Sequence, residues 1–364
     1  MTRFWILVLM LVLVAPAVTT ANEWNLYGSA RVSMFWVTMD KDANDGINDD
    51  TDLDNDLQSN SRIGARVKAT DQVAGRFEYG ASGGNANLRL LYGEYNFGAG
   101  SLLVGQDWDA GMANISNQVV FADTNLLEGG DYTIGRDPQI RLTFGNLNLA
   151  LIKNQGNPAD VGGAAAAGYT SSDIILPMVQ AVYTFSTDKL MIKPHASYQT
   201  FDVETAGAGQ RSESVCSYAL GVAATVQLGP ASIGASAYYG QNLYNHGVWF
   251  RANDSAARAQ LVNGSINDAT GYGGALVFKM PFTEAIGFEA GVGYTSNEVD
   301  TAPGVTREDD GLTYYVQLPI TLSKGVTITP EISVFDDGDT KVTGAADVEE
   351  GTTTYIGAKF QIDF

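Results

Sequence analysis

The chain has 364 residues, and its 41 acidic and 21 basic side chains give a formal net charge of −20. Only 17% of the residues are charged, whereas 41 are glycine and 17 are tyrosine, a composition that suits neither a helical nor a disordered protein. The negative charge argues against nucleic acid as a partner, and the single cysteine excludes a disulfide framework.

Residues 1–21 have the pattern of a secretory signal peptide. Arg3 supplies a short positive start, residues 4–14 form an apolar run, and small residues lead to a cleavage site after Ala21. A cut after Ala17 fits the same rule. The apolar run is shorter than the roughly 20 residues that a membrane helix needs, so we expect export and a mature chain that begins at residue 22.

From residue 24 onward, apolar and polar residues alternate with a period of two, the pattern of strands with one apolar and one polar face. Short and long connections between these segments also alternate. An even strand number with this alternation predicts an all-β fold: a 16-stranded antiparallel transmembrane β-barrel with short periplasmic turns and long outer loops. The predicted strands lie near 24–38, 61–69, 75–83, 88–97, 101–108, 138–145, 147–155, 175–186, 189–201, 214–228, 231–242, 270–280, 286–297, 312–323, 326–336 and 353–364.

Five arginines lie on the polar faces of these strands. An arginine that faces the middle of the bilayer costs about 2–4 kcal/mol, so we expect all five to face the lumen as one basic patch. Glu94 breaks the pattern, because it shares the apolar face of its strand with Leu90. A position at the periplasmic rim, a subunit contact and a bulge all remain open for it. The five arginines are Arg31, Arg62, Arg66, Arg89 and Arg141.

The third outer loop, from about Asp109 to Asp137, is long and contains apolar residues that an outer loop in water does not need. We expect it to fold into the lumen and narrow the channel. Its acids Asp123, Glu128 and Asp131 would then face the arginines across a water-filled gap. Opposed charges of this kind create a transverse field that favours small polar solutes.

The first outer loop, from Asp40 to Asp56, is strongly acidic. Some of its oxygen-bearing side chains have a spacing similar to that of calcium loops, although the glycine is displaced and no glutamate closes the loop. A solvated acidic loop, bridged by divalent ions to lipopolysaccharide, is the simpler interpretation. The weak calcium candidates are Asp40, Asp42, Asn44, Asp45 and Asp49.

Five short motifs resemble those of the general diffusion porins of the Gram-negative outer membrane, the 16-stranded trimeric family. They are Leu26-Tyr27-Gly28, Ser61-Arg62-Ile63-Gly64, Arg89-Leu90-Leu91-Tyr92, Glu128-Gly129-Gly130-Asp131 and the terminal Phe360-Gln361-Ile362-Asp363-Phe364. Ser29 departs from the family, which often carries a lysine there, and Arg31 stands two residues on. The proline and phenylalanine usual around the loop's acid are also missing.

The resemblance implies that residues 22–364 form one outer-membrane porin domain that assembles as a homotrimer and has no cofactor. Arg62, Arg89 and Arg141 would form the basic side of its constriction, with Glu128 and Asp131 opposite. Lipopolysaccharide and outer-membrane lipids would surround the barrel. The barrel-assembly machinery would read a terminal signal formed by Phe360, Ile362 and Phe364.

The expected function is a passive pore for ions and small hydrophilic solutes with a mild cation preference. A solute-selective channel, for sugars or anions, would need an aromatic ladder in the lumen. An outer-membrane enzyme would need a histidine on the outer side, where His246 is the one candidate, and a purely structural adhesion barrel would not conduct. Candidates for the ladder are Tyr27, Phe35, Tyr95, Tyr218, Tyr238 and Tyr315.

Overall fold

A computed structural model of the chain describes residues 23–40, 50–82, 84–206, 210–251 and 255–364. The predicted signal peptide lies outside these residues, as do four of the calcium candidates, Asp42, Asn44, Asp45 and Asp49. Asp40 is described and ends the first strand. Across the described ranges, no group of three or more His, Cys, Asp or Glu side chains is placed to hold a metal ion.

Sixteen strands form the wall. They are β1 (Glu23–Asp40), β2 (Asp50–Leu57 and Arg62–Lys68), β3 (Val73–Ser82), β4 (Asn85–Asn96), β5 (Ser101–Trp108), β6 (Arg136–Phe144), β7 (Leu147–Ile152), β8 (Met178–Tyr183 and Phe185–Ser186), β9 (Leu190–Thr205), β10 (Ser212–Leu228), β11 (Ala231–Gln241), β12 (Thr270–Pro281), β13 (Gly287–Ala302), β14 (Val305–Gln317 and Ile320–Ser323), β15 (Val326–Asp336) and β16 (Thr352–Asp363).

Each strand pairs antiparallel with its neighbour in sequence, and β1 pairs with β16 from Ser29–Asp363 to Asp40–Thr352. This last pairing closes the sheet into a barrel, so that within the described residues both the first and the last strand have a partner on each side. The predicted 16-stranded antiparallel barrel is therefore confirmed. Two outer connections are shorter than expected, because β3 and β4 are joined through residues 83–84 and β13 and β14 through residues 303–304.

Outward-facing side chains form an apolar belt around the barrel. Trp24 is 59% exposed and Leu26 is 72% exposed, while their inward-facing neighbours are polar or covered by loops. Alternation with a period of two produces this separation, since successive side chains in a strand point to opposite faces. In the part of the chain that the structure describes, no helix is long and apolar enough to cross a membrane.

Glu94 faces the lumen because β4 contains a bulge. Glu78 of β3 lies opposite Leu90 of β4, but the next residue, Tyr79, lies opposite Leu88, so Arg89 is an extra residue in β4. Arg89 and Leu90 are therefore both buried inside the barrel. After this extra residue the parity of the strand is reversed, and Glu94 lies opposite Ala74 on the inner face. Of the three positions left open for Glu94, the structure shows the bulge.

Outer loops fill part of the interior. They contain short helical segments at Val120–Asp123, Pro158–Asp160 and Leu243–His246. They also contain short strands at Tyr169–Asp173, Gln260–Val262, Ser265–Asn267, Asp339–Val342 and Val348–Glu349. Tyr132 and Ile134 of the third loop pack with Leu243 and Val248 of the sixth against the walls of β7, β8, β10 and β11. This side of the lumen has a hydrophobic core, so the open passage lies on the opposite side.

Candidate pore constriction

Loop 3, residues 109–135, runs inside the barrel and is closed at its base by Asp109. One carboxylate oxygen of Asp109 accepts hydrogen bonds from the backbone N–H groups of Gly111 at 2.9 Å and Met112 at 3.1 Å. The other accepts from Thr133 Oγ1 at 2.8 Å and from the Ile134 N–H at 3.2 Å. Asp109 thus joins the outgoing and returning ends of the loop.

Two wall carboxylates hold the far part of loop 3. Glu331 of β15 accepts hydrogen bonds from the N–H groups of Val119 at 2.8 Å and Val120 at 3.2 Å. Glu289 of β13 accepts from the N–H of Asn117 at 2.6 Å. Charged acceptors make the stronger class of hydrogen bond, so these contacts fix the loop across the lumen.

Asp123, at the tip of loop 3, forms an ion pair with Arg31 of β1. Asn60 Nδ2 donates to the same oxygen, Oδ2, at 2.9 Å, and the other oxygen, Oδ1, lies 2.9 Å from Lys359 Nζ of β16. Asp123 therefore contacts the basic wall directly, and no water-filled gap separates it from Arg31. Lys359 was not among the residues expected here, although it shares the inward face with Tyr355.

Glu78 of β3 is the centre of a second cluster. The carboxylate is 1% exposed and lies 2.7 Å from Arg89, 3.0 Å from Arg76 and 3.5 Å from Arg62. Tyr27 Oη donates to the same group at 2.9 Å. Three guanidinium groups share one carboxylate, so this part of the wall keeps a net positive charge.

Arg136 adds a cation that has no carboxylate partner among the described residues. Its guanidinium lies 4.7 Å from the ring centroid of Trp108, and the ring centroids of Trp108 and Trp249 are 5.8 Å apart, with the two rings tilted by 56°. Its Nη1 atom is buried without a hydrogen-bond partner. Period-two counting places Arg136 on the outward face with Ile140, but the strand end turns it inward.

The basic wall and loop 3 border a cavity of about 360 Å³, which contains the constriction. The acidic residues that line this cavity, Asp123 and Glu128, both belong to loop 3. Burial raises the pKa of the Glu128 carboxyl, and the nearby Arg251 opposes that shift. Other lining residues are Arg31, Ser59, Asn60, Arg62, Arg89, Trp108, Met112, Asn114, Ala122, Asn125, Leu127, Arg136 and Trp249.

Cations outnumber carboxylates at this cavity. Among the described residues that line it or belong to the ion-pair networks of its lining, six are cationic and three are acidic. The cationic residues are Arg31, Arg62, Arg76, Arg89, Arg136 and Lys359, and the acidic residues are Glu78, Asp123 and Glu128.

The remaining predicted site residues lie elsewhere. Arg141 pairs with Asp107 at 2.6 Å, outside the lining of the constriction. Arg66 lies near the ring of Tyr27 and lines a periplasmic cavity of about 800 Å³ together with Glu94. Asp131 is buried on the far side of loop 3, where burial raises its pKa and Ser236 of β11 opposes the shift.

His246 belongs to the sixth outer loop, where it is buried against the wall and is not on an open outer surface. Its Nε2 atom lies 2.6 Å from Ser197 Oγ and its Nδ1 atom 3.2 Å from Ser217 Oγ. Burial, with the neighbouring His195, lowers the pKa of His246 to about 3, so the ring is neutral. This serine–histidine contact is closed to solvent, because both side chains are buried.

The aromatic candidates do not form a ladder. Tyr95 and Tyr218 point outward, since they pair with the outward-facing Val73 and Tyr198. Loop 3 covers Tyr315, whose hydroxyl contacts Ser116 at 2.7 Å. The bulge in β4 reversed the expected face of Tyr95, as it did for Glu94.

At the end of the chain, Phe364 covers Gly28 of β1. The Gly28 N–H donates to the Phe364 carbonyl at 2.7 Å, and the Phe364 N–H donates back at 3.0 Å. A side chain at position 28 would collide with the Phe364 ring. Phe360, Ile362 and Phe364 all lie on the outward face and are exposed there.

The fold of the closed barrel is shared with solved structures. The outer membrane channel DcaP of Acinetobacter baumannii has a TM-score of 0.69 and 16% identity, over 94% of this chain and 97% of that chain. The chain has the fold of the outer-membrane porins. Together with the apolar belt, this makes it a β-barrel of the Gram-negative outer membrane.

Two other structures of this fold are similar. OmpT of Vibrio cholerae has a TM-score of 0.59 and 14% identity, over 94% of this chain and 98% of that chain. An anion-selective porin from Comamonas acidovorans has a TM-score of 0.56 and 14% identity, over 94% of this chain and all of that chain. No protein-family model and no curated protein sequence matches the chain. The likeness therefore concerns the porin fold.

Proposed function

We propose that this porin-fold protein is a passive outer-membrane pore for ions and small hydrophilic solutes, with a constriction that favours anions. The observation that carries the proposal is the excess of six cationic groups over three carboxylates at the constriction, with Arg136 unpaired among the described residues. Fixed charge in a narrow water-filled passage raises the local concentration of ions of the opposite sign.

This proposal replaces the mild cation preference expected from the net charge of −20. Most of that charge is far from the narrowest point, and salt at about 0.1 M screens exposed charges beyond about 10 Å. The local residues therefore decide the preference. The similarity of the fold to a porin described as anion-selective is consistent with this assignment.

We further propose a homotrimer embedded in lipopolysaccharide and outer-membrane lipids. One similar structure is described as the trimer form of OmpT of Vibrio cholerae. Phe360, Ile362 and Phe364, exposed on the outer face, are the proposed signal for the barrel-assembly machinery. The protein is not proposed as an enzyme, since its serine–histidine contact is sealed between loop 6 and the wall.

The test is a planar bilayer recording of the refolded protein under a KCl gradient. The wild type should conduct, with a reversal potential on the anion-selective side. Arg136→Gln should move this potential toward zero. Lys189→Gln, which makes the same charge change in an exposed periplasmic turn, should not move it. A folded barrel that does not conduct would refute the pore, whereas a cation-selective wild type would refute only the preference.

A further inference from the structure

The inward face of β2 changes from acidic to basic along its length. Asp52, Asp54 and Asp56 lie opposite the inward-facing Val37, Phe35 and Ser33 of β1, while Leu53 and Leu57 face outward. At the periplasmic end, the inward residues are basic, since Arg62 lies opposite Ser29. From the outer to the periplasmic end, the inward face reads Asp52, Asp54, Asp56, Gln58, Asn60, Arg62, Gly64, Arg66 and Lys68.

A bulge in β2 separates its two halves, and even-numbered residues face the lumen in both. Leu57 pairs with Val32 and Arg62 with Ser29, so β2 has two residues more than β1 between these pairs. Because side chains alternate between the two faces, two extra residues do not change which side chains face the lumen. The neutral residues of this bulge hold the tip of loop 3, because the amide groups of Gln58 and Asn60 donate to backbone carbonyls of the loop at 2.8 and 2.7 Å.

The three aspartates carry charge that is not neutralised within the described ranges. Asp52, Asp54 and Asp56 are exposed to the lumen, and none forms an ion pair with a described residue. In contrast, Asp337, which directly follows β15, is paired with Arg251 at 3.0 Å. The outer side of loop 3 therefore has an acidic stripe above the basic constriction.

The two charged zones meet near Ser33, which lies opposite both Asp56 and Lys359, but their centres are further apart along the axis. Asp54 lies opposite Phe35 and Arg62 opposite Ser29, which are six residues apart on β1. At about 3.3 Å per residue this is about 20 Å along the strand, or about 15 Å along the barrel axis at a tilt near 40°. Salt at about 0.1 M screens charge over about 10 Å, so the centre of each zone keeps its own counterions and the boundary between the zones lies near Asp56.

We propose that Asp52, Asp54 and Asp56 form an entrance that concentrates cations, in series with the constriction that concentrates anions. The pore then carries fixed negative charge at its outer end and fixed positive charge at its constriction. Such a bipolar pore conducts better at one sign of the voltage than at the other, so it rectifies current. The inference rests on the proposed pore. When the outer compartment is positive, cations in the entrance and anions in the constriction both move toward the boundary between the zones. Carriers accumulate there and conductance rises, whereas the opposite voltage depletes them.

The experiment compares current–voltage curves of single pores in symmetric KCl for three proteins. They are the wild type, the variant Asp52→Asn/Asp54→Asn/Asp56→Asn, and a control with the same charge change, Glu298→Gln/Asp300→Asn/Glu308→Gln. The control residues are exposed at the outer rim and face away from the lumen. Orientation is assigned with an antibody to an epitope placed at Gly344, where nothing packs against the chain.

At about 0.1 M KCl we expect about twofold higher conductance with the outer side positive in the wild type and the control, and a linear curve in the triple-aspartate variant. At about 1 M the asymmetry should vanish, because the screening length falls to about 3 Å. A linear wild-type curve with an anion-selective reversal potential would overturn the bipolar arrangement and leave the pore intact. Loss of asymmetry in the control, or asymmetry that persists at about 1 M KCl, would also overturn the bipolar arrangement. Absence of conductance would overturn both this proposal and the proposed pore.

Discussion

Replacement of Glu78 by glutamine tests whether the basic wall depends on one buried carboxylate. Glu78 is 1% exposed and is shared by Arg62, Arg76 and Arg89, the nearest at 2.7 Å. Glutamine keeps the volume and one hydrogen-bond acceptor but removes the charge. The three guanidinium groups would then repel one another without compensation.

The expected loss of stability is large. At an effective dielectric constant of about 20, a pair of charges about 4 Å apart is worth about 4 kcal/mol. Removal of one partner from a buried pair costs about 3–5 kcal/mol, because a charge remains buried and unpaired. We therefore expect Glu78→Gln to lower the free energy of unfolding by about 3–5 kcal/mol.

The assay is urea titration of the barrel in lipid vesicles, followed by tryptophan fluorescence. The matched control is Asp71→Asn, which removes the exposed pair between Asp71 and Lys68 at 2.8 Å. Asp71 is almost fully exposed, so its loss should leave the unfolding midpoint unchanged. An unchanged midpoint for Glu78→Gln, or a shift no larger than that of the control, would refute the reasoning.

Three further predictions concern loop 3 and the end of the chain. Because burial raises the pKa of Glu128, acidification from about pH 7 to about pH 5 should increase anion preference in the wild type, and Glu128→Gln should reduce this change. Gly28→Val should displace the Phe364 ring and reduce the yield of folded barrel, whereas Gly93→Val, at an open outward position, should not. Glu331→Gln should loosen the tip of loop 3 and increase open-channel current noise; a trace as quiet as the wild type would contradict its role.

The alternation of residue types was sufficient to predict the barrel, its strand number and the inward direction of the arginines. It failed at Glu94 and Tyr95, because β4 has one extra residue, Arg89, where it passes Glu78 and Tyr79 of β3. Nothing in the local sequence Arg89-Leu90-Leu91 distinguishes a bulge from regular pairing. A charged residue on an apparently lipid-facing side was the available signal, since lipid does not tolerate it.

The constriction was harder to predict than the barrel. Loop 3 was expected inside the lumen, but its path depends on hydrogen bonds to Glu289 and Glu331, which lie more than 170 residues away in sequence. Arg136 was missed because the alternation of inward and outward side chains breaks down at the start of β6, where the strand meets loop 3. Lys359 was missed because its partner Asp123 is far away in sequence.

The electrostatic potential at the constriction is measured most directly by the reaction rates of a cysteine placed there. Ser59 lines the constriction, and Ser59→Cys in a Cys216→Ser background introduces a single thiol of nearly the same size. The rates of an anionic and a cationic methanethiosulfonate reagent, each normalised to a free thiol, are then compared. An excess of cationic charge predicts that the anionic reagent reacts roughly tenfold faster. A faster cationic reagent would contradict the proposal that the constriction favours anions.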